Sequence, residues 1–437
     1  MSTAMLGLGL LILAASLFTA LFRRTGIPDV LLLIGVGLLL GQTTGLISPA
    51  DFGKLGGLMS TLALVLILFE GGLSLSLDVL ATALGQTLGL VLLGFASTAV
   101  IVWGFGTYAL GLAPTLAMAL GAIAGGTSSA VVIPMVKELG MGRVPETMLV
   151  LESAITDVLC IIVAGAFLGA FVSGAASPMA IASGIARSLT FAAVIGVVAG
   201  LLFLFAVNLV RRMPNAMVSV IAFVLVTYGV AESLGASGAI AALTLGFVIS
   251  NRVALGIARL RPFAHVVELR EPRYVGWFLA DAVFLLKTFF FVFLGISVRF
   301  ADWRLTGIAV GAVLAIYLAR TLIIRLTIPT TTNRWDASVM AVMGPKGLAA
   351  AVLAGVPIQM GIAQGDVMQQ FTYIVVLASI VVTSVLVPQV AGGPVGVVMD
   401  HVFGAYETHR GPGRTGVAPV ADDAGGDERD AVDPDES

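Results

Sequence analysis

Residues 116–136 read LAMALGAIAGGTSSAVVIPMV and residues 339–355 read VMAVMGPKGLAAAVLAG. Each is an apolar stretch interrupted near its middle, the first by Gly125, Gly126, Thr127, Ser128 and Ser129, the second by Gly344, Pro345 and Gly347. Proline removes a backbone donor and glycine lowers helix propensity, so both clusters break a helix. In a bilayer such backbone survives only where it is buried in protein or lines a cavity. Close helix packing explains a single cluster of small residues. Two clusters, in corresponding positions of two halves, are the usual sequence pointer to the binding site of a transporter.

The rest of the chain supplies the bilayer. Of 437 residues, 58% are hydrophobic and 11% charged, far from the balance of a soluble domain. Apolar stretches of spanning length between residues 4 and 392 predict thirteen transmembrane helices, with the broken stretches in the fifth (113–138) and twelfth (335–358). The first stretch is followed by Arg23 and Arg24 rather than a small-residue cleavage site, so it reads as a retained helix.

Seven spans separate the two broken helices, an odd number, so they cross in opposite directions as an inverted repeat requires. With thirteen spans, Arg23, Arg24, Lys137, Arg143, Arg211, Arg212, Arg252, Arg259, Arg261, Arg270, Arg273 and Arg334 fall on one side of the membrane. Lys54, Arg299 and Arg304 fall on the other. The positive-inside rule then puts the N-terminus outside and the C-terminus in the cytoplasm. Residues 251–274, NRVALGIARLRPFAHVVELREPRY, are basic and amphipathic and suit the cytoplasmic membrane surface or a polar linker. Residues 1–395 form the transmembrane domain, and 396–437, rich in Asp and Glu among Gly and Pro, read as a disordered cytoplasmic tail.

The sixth span (146–172) contains LESAITDVLCIIVAG, residues 151–165, which buries two acids in a helix. A carboxylate at that depth costs about 2.5–3.5 kcal/mol on insertion scales, so intramembrane acids mark ion or proton pathways. At about 100° per residue Ser153 and Asp157 share one stripe and Glu152 lies well round the helix, so the two acids have different roles. Lys346, between two glycines, is placed to neutralise the carbonyls of a half-helix. Glu70, near the cytoplasmic end of the third span, suits a funnel that attracts cations. Lys287 and Asp281 lie in the tenth span near a membrane boundary, where the lysine reads as a snorkelling group. His265, His401 and His409 lie outside the spans and read as solvated. The single cysteine, Cys160, packs as a small hydrophobe.

With these residues in order, the chain resembles the monovalent cation/proton antiporter superfamily over residues up to about 395. The carriers are RTGIPDVLLLIGVGLLLGQTTGL (24–46), LFEGGLSLSL (68–77), ESAITD (152–157) and GPKGLAAAV (344–352). The resemblance implies an all-α homodimer of dimerisation helices plus a six-helix core that moves as an elevator. It implies that Asp157 carries the proton or cation, with Ser153 as a side-chain ligand and Thr127 as a backbone or hydroxyl ligand; Thr156 and Ser128, beside them in sequence, complete the expected cation-binding set. It also implies that Glu152 pairs with Arg320 of the eleventh span (305–328), which leaves one carboxylate to exchange cation for proton electroneutrally.

Two positions depart from that pattern: Thr156 stands where relatives carry Asn or Asp, and Ser128 where most electroneutral relatives carry Asp. The choice among Na⁺, K⁺ and Li⁺ is therefore open, and a potassium efflux system of the same fold is the nearest alternative. The expected partners are membrane lipids, monovalent cations and protons, with no cofactor and no nucleic acid, in a bacterial or archaeal inner membrane. A channel needs a repeated carbonyl filter and a metal hydrolase needs a motif such as H-E-x-x-H; the sequence has neither, so an enzyme is not expected.

Overall fold

A computed structural model describes residues 2–408 apart from 26, 46, 76, 175–176, 213–215, 258–272 and 301. These residues form seventeen α-helices and no strand. In chain order they are α1 Ser2–Thr25, α2 Asp29–Leu38, α3 Pro49–Ser74, α4 Leu77–Gly104, α5 Pro114–Ala124, α6 Ser129–Leu139, α7 Arg143–Ser173, α8 Pro178–Arg212 and α9 Ala216–Ser233. There follow α10 Gly238–Ser250, α11 Arg273–Ser297, α12 Trp303–Thr327, α13 Arg334–Val342, α14 Leu348–Leu353, α15 Val356–Gln359, α16 Gly365–Val390 and α17 Pro394–Val402. Two of them, α2 and α4, end in a π-helical turn, at Leu39–Thr43 and Phe105–Ala109.

Nine described segments are long and apolar enough to cross a membrane, one of them Pro114–Leu139, which joins α5 to α6. Four shorter apolar segments, Asp29–Thr43, Val218–Ser233, Gly238–Ser250 and Leu348–Gln359, stand where further crossings are expected. The basic connection at 258–272, with His265, and everything from His409 onward lie outside the described residues.

The glycine clusters do what their chemistry dictates. Helix α5 stops at Ala124, Gly125 to Ser128 run non-helically, and α6 restarts at Ser129; likewise α13 stops at Val342 and α14 restarts at Leu348. The two breaks meet, with Ser128 N–H donating to the Pro345 carbonyl over 2.7 Å. Packed round this crossing are α4, α7, α12 and α16. Beside them α3 lies against α10, and α2 against α11.

The second pair of contacts reveals the internal repeat. In the thirteen-span numbering expected from the sequence, a shift of seven carries the second span (α2) to the ninth (α10) and the third (α3) to the tenth (α11), so the pair α2–α11 maps onto the pair α10–α3. Both pairs meet through glycine: a Cβ on Gly37 or Gly295 would strike backbone across the α2–α11 contact, and one on Gly72 or Gly246 would strike backbone across the α3–α10 contact. In lipid no hydrophobic force draws helices together, so close backbone approach through small residues is how they pack.

Residues near the termini of the spans are tied down by local chemistry. At the start of α3 the Ser48 N–H and hydroxyl both donate to Asp51, at 2.7 and 2.9 Å, which holds that exposed carboxyl below its ordinary range. Beyond α16 the expected boundary at 395/396 falls inside α17, and residues up to 408 are part of the folded body. Phe403 and Tyr406 are buried against each other, the Tyr406 hydroxyl donates to the Ile328 carbonyl, and Glu407 exchanges backbone hydrogen bonds with Thr330 and Arg334. Arg334 reaches Asp400 at 3.6 Å. The two apolar rings hold this segment onto the α12–α13 connection, which an inventory of acidic residues does not reveal.

Candidate cation site

Helix α7 carries Glu152, Ser153, Thr156 and Asp157, all buried; Asp157 is the most open of them at 7% exposure. Thr156 faces the first break. Its hydroxyl oxygen accepts the Thr127 N–H at 3.1 Å and lies 3.0 Å from the Thr127 hydroxyl, and it gives its own proton to the Ser153 carbonyl at 3.2 Å. Either hydroxyl of that pair can be the donor; with the Thr156 proton on the Ser153 carbonyl, Thr127 donates and its lone pairs are left for a ligand. Ser153 turns its hydroxyl back to the Leu149 carbonyl at 3.2 Å.

Asp157 sits against the start of α6. Its carboxyl has the Ser129 side chain as hydrogen-bonding neighbour, and a Cβ on Gly126 would come within 3.3 Å of it. The N-terminal end of a helix carries partial positive charge, which favours an anion there. Ser128 is buried beside it with no hydrogen-bond partner for its hydroxyl. Ser128 immediately precedes the Ser129 that neighbours Asp157, so its buried orphan hydroxyl, in the same break, is an acceptor that a cation would satisfy. Gly347 is essential at this point, because a Cβ on it would overlap the Ser128 side chain.

The other acid is already neutralised. Arg320 of α12 grips Glu152 with both terminal guanidinium nitrogens, at 2.6 and 2.9 Å, and donates its Nε–H to the Met340 carbonyl at the end of half-helix α13, at 2.9 Å. Lys346 plays the corresponding part for α5: its ammonium donates to the Gly125 carbonyl over 3.2 Å. Each half-helix carbonyl end thus receives a fixed cation, complementing its negative pole. Among the described residues no lysine, arginine or histidine pairs with Asp157.

Space flanks the centre. A small cavity of mixed lining has Thr98, Thr127, Glu152, Arg320 and Lys346 on its polar side and Leu90, Ile316 and Ile323 on its apolar side. A larger one, about 750 Å³, opens between the later half of α7, α8, the α9–α10 turn and α15, and reaches Ile161, about one helical turn beyond Asp157. Glu70 is remote from this constellation on α3, half-buried, with Lys287 and Lys137 as its charged neighbours. His401 is exposed on α17.

Lys287 differs from its sequence reading. It lies in the middle of α11 and its ammonium meets Asp29 of α2 at 3.0 Å, largely out of solvent, so it pairs inside the protein instead of snorkelling. Asp29 went unsingled in the sequence because an acid after Pro28 reads as an ordinary first-turn residue. Ser129 was missed as well. The signal for Ser129 was present, two residues past Thr127 in the same break.

The transmembrane family described as sodium/hydrogen exchanger matches residues 11–391. This chain belongs to that family. It is a multi-pass membrane protein of the family, with the all-helical fold that goes with it. It is similar to a K⁺/H⁺ antiporter NhaP of Alkalimonas amylolytica, 25% identical over 387 residues, which cover 86% of this chain and 64% of that one. A K⁺/H⁺ antiporter NhaP2 of Shewanella sp. (strain ANA-3) is 24% identical, with the same coverage. The chain thus spans 64% of the length of these relatives. Among solved structures it matches the sodium proton antiporter MjNhaP1 of Methanocaldococcus jannaschii at pH 8, with a TM-score of 0.70 and 22% identity, over 88% of this chain and 99% of that one.

Proposed function

We propose that this chain exchanges a monovalent cation, K⁺ or Na⁺, for one proton across the membrane, electroneutrally and by alternating access. The observation that carries the reading is the division of labour between two buried acids. Glu152 is held by Arg320, while Asp157 lies at the start of α6 with no fixed cation, and Ser128 in the same break carries an orphan hydroxyl. A group in that position must meet a mobile positive charge, either a proton or a metal cation, because an isolated buried carboxylate is strongly disfavoured. The names of the relatives, K⁺/H⁺ antiporters and a sodium proton antiporter, support both the exchange and the pair of candidate cations.

In this mechanism Thr127 and Ser128 replace part of the cation's hydration and Asp157 supplies the countercharge. Thr156 keeps α7 in register with the break through Thr127, while Ser153 shares the stripe of Asp157 and has its hydroxyl on the Leu149 carbonyl of its own helix. A proton on Asp157 removes the countercharge and releases the cation, and the reverse step loads it on the other side. The elevator movement of the core against α3, α8, α9 and α10, the homodimer, and an inner-membrane location with the C-terminus in the cytoplasm belong to the same proposal. The cavity along α7 and α8 lies on the boundary at which the movement would take place.

The test is exchange in proteoliposomes with an internal pH dye. Adding K⁺ or Na⁺ should collapse a preset proton gradient while choline should not, and a lipophilic ion that sets the membrane potential should leave the rate unchanged. Absence of a response to every alkali cation would overturn antiport. A rate that follows voltage steeply would overturn the one-to-one stoichiometry.

A further inference from the structure

The two breaks are held by the same device, and its second copy has no assigned part. On the first, the Thr127 N–H donates to the Thr156 hydroxyl, which passes its own proton to the carbonyl three residues back, Ser153. On the second, the Lys346 N–H donates to the Ser379 hydroxyl at 2.8 Å, and Ser379 passes its proton to the carbonyl three residues back, Val376, at 2.9 Å. Thr156 lies on the sixth span and Ser379 on the thirteenth, so the seven-span shift that relates the breaks relates these hydroxyls too. The same mapping lays Lys346 on Thr127 and Ile380 on Asp157. One half of the repeat therefore presents a threonine and an acid to a mobile cation. The other presents a tethered ammonium and no acid.

We propose that Ser379 is a positioning residue of the cation site, acting through Lys346. A broken helix leaves backbone N–H groups without a carbonyl four residues back, and a buried one needs another acceptor. Ser379 supplies it and fixes the point from which the Lys346 side chain reaches the Gly125 carbonyl. Gly125 stands two residues before Thr127, so the placement of that ammonium sets both the backbone course and the field at the first break. Ser379 is itself held from α12: the Tyr317 hydroxyl donates to the Ser379 carbonyl at 2.8 Å and lies 2.6 Å from the Thr383 hydroxyl. The chain Tyr317, Ser379, Lys346, Gly125 thus links α12 and α16 to the end of α5.

This inference rests on the antiport reading, and the test separates the two. In proteoliposomes Ser379→Ala should raise the half-saturating cation concentration on the order of tenfold, the equivalent of one buried hydrogen bond, with a smaller effect on maximal rate. Ser379→Thr keeps the hydroxyl and should restore the wild-type value. Tyr317→Phe, which keeps the ring, should shift the half-saturating concentration in the same direction and serves where Ser379→Ala does not fold. Thermal melting of each purified variant is read alongside. A merely structural Ser379 would lower the melting temperature at unchanged half-saturation, and that result would overturn the inference, as would failure of Ser379→Thr to restore affinity or no shift with Tyr317→Phe. Wild-type protein without alkali-cation-driven exchange would overturn the antiport reading instead.

Discussion

Asp157→Asn is expected to abolish cation-coupled proton movement and to leave a folded protein that melts no lower than wild type. The amide keeps the shape of the carboxyl and its contact with Ser129, so packing at the start of α6 is preserved. What disappears is the one acid at the break that no fixed cation neutralises. Replacing an unpaired buried carboxylate by a neutral group relieves its desolvation, hence the unchanged or higher melting temperature. Dye dequenching and thermal melting on the same purified variant check both halves. Substantial exchange by a folded Asp157→Asn protein would sink the assignment of the carrier.

Glu152→Gln and Arg320→Gln are each expected to destabilise the protein by about 3–5 kcal/mol, because each strands a buried charge whose partner has gone. The geometry favours the upper part of that range for Glu152→Gln, since Arg320 then retains only the Met340 carbonyl at full strength. The double variant should lose clearly less than the sum, as both charges leave together. Chemical denaturation or melting in one detergent, run as a double-mutant cycle, gives the coupling. Strict additivity would mean that the pair contributes no mutual energy. The same cycle bears on function, because Glu152 released from Arg320 becomes a second titratable acid near Asp157.

What the sequence made legible was whatever breaks a strong regularity. A glycine or proline cluster in the middle of an apolar run has few structural excuses, and both clusters are the observed breaks. An acid in a spanning helix is equally conspicuous, so Glu152, Asp157 and Arg320 stood out, and the structure brings Glu152 and Arg320 together while setting Asp157 apart. Residues that break nothing were illegible. Ser379 is a hydroxyl in an ordinary helix, and its importance comes from facing the Lys346 N–H, a tertiary fact. Lys287 and Asp29 are 258 positions apart, and nothing local distinguishes a lysine that snorkels from one that finds an acid on another helix. The folded segment after α16 was hidden by the acidic composition that follows it, because the anchors Phe403 and Tyr406 lie in a stretch too short to span a membrane.

The central claim is that proton and cation compete for Asp157, and the most direct measurement is the half-saturating cation concentration of wild-type exchange as a function of pH. Competition for one carboxylate predicts that, below the pH at which Asp157 titrates, this concentration rises about tenfold for each unit fall in pH, while the maximal rate at saturating cation is kept. A half-saturating concentration that stays flat while the maximal rate falls would show that the proton acts at another group, and would contradict the account.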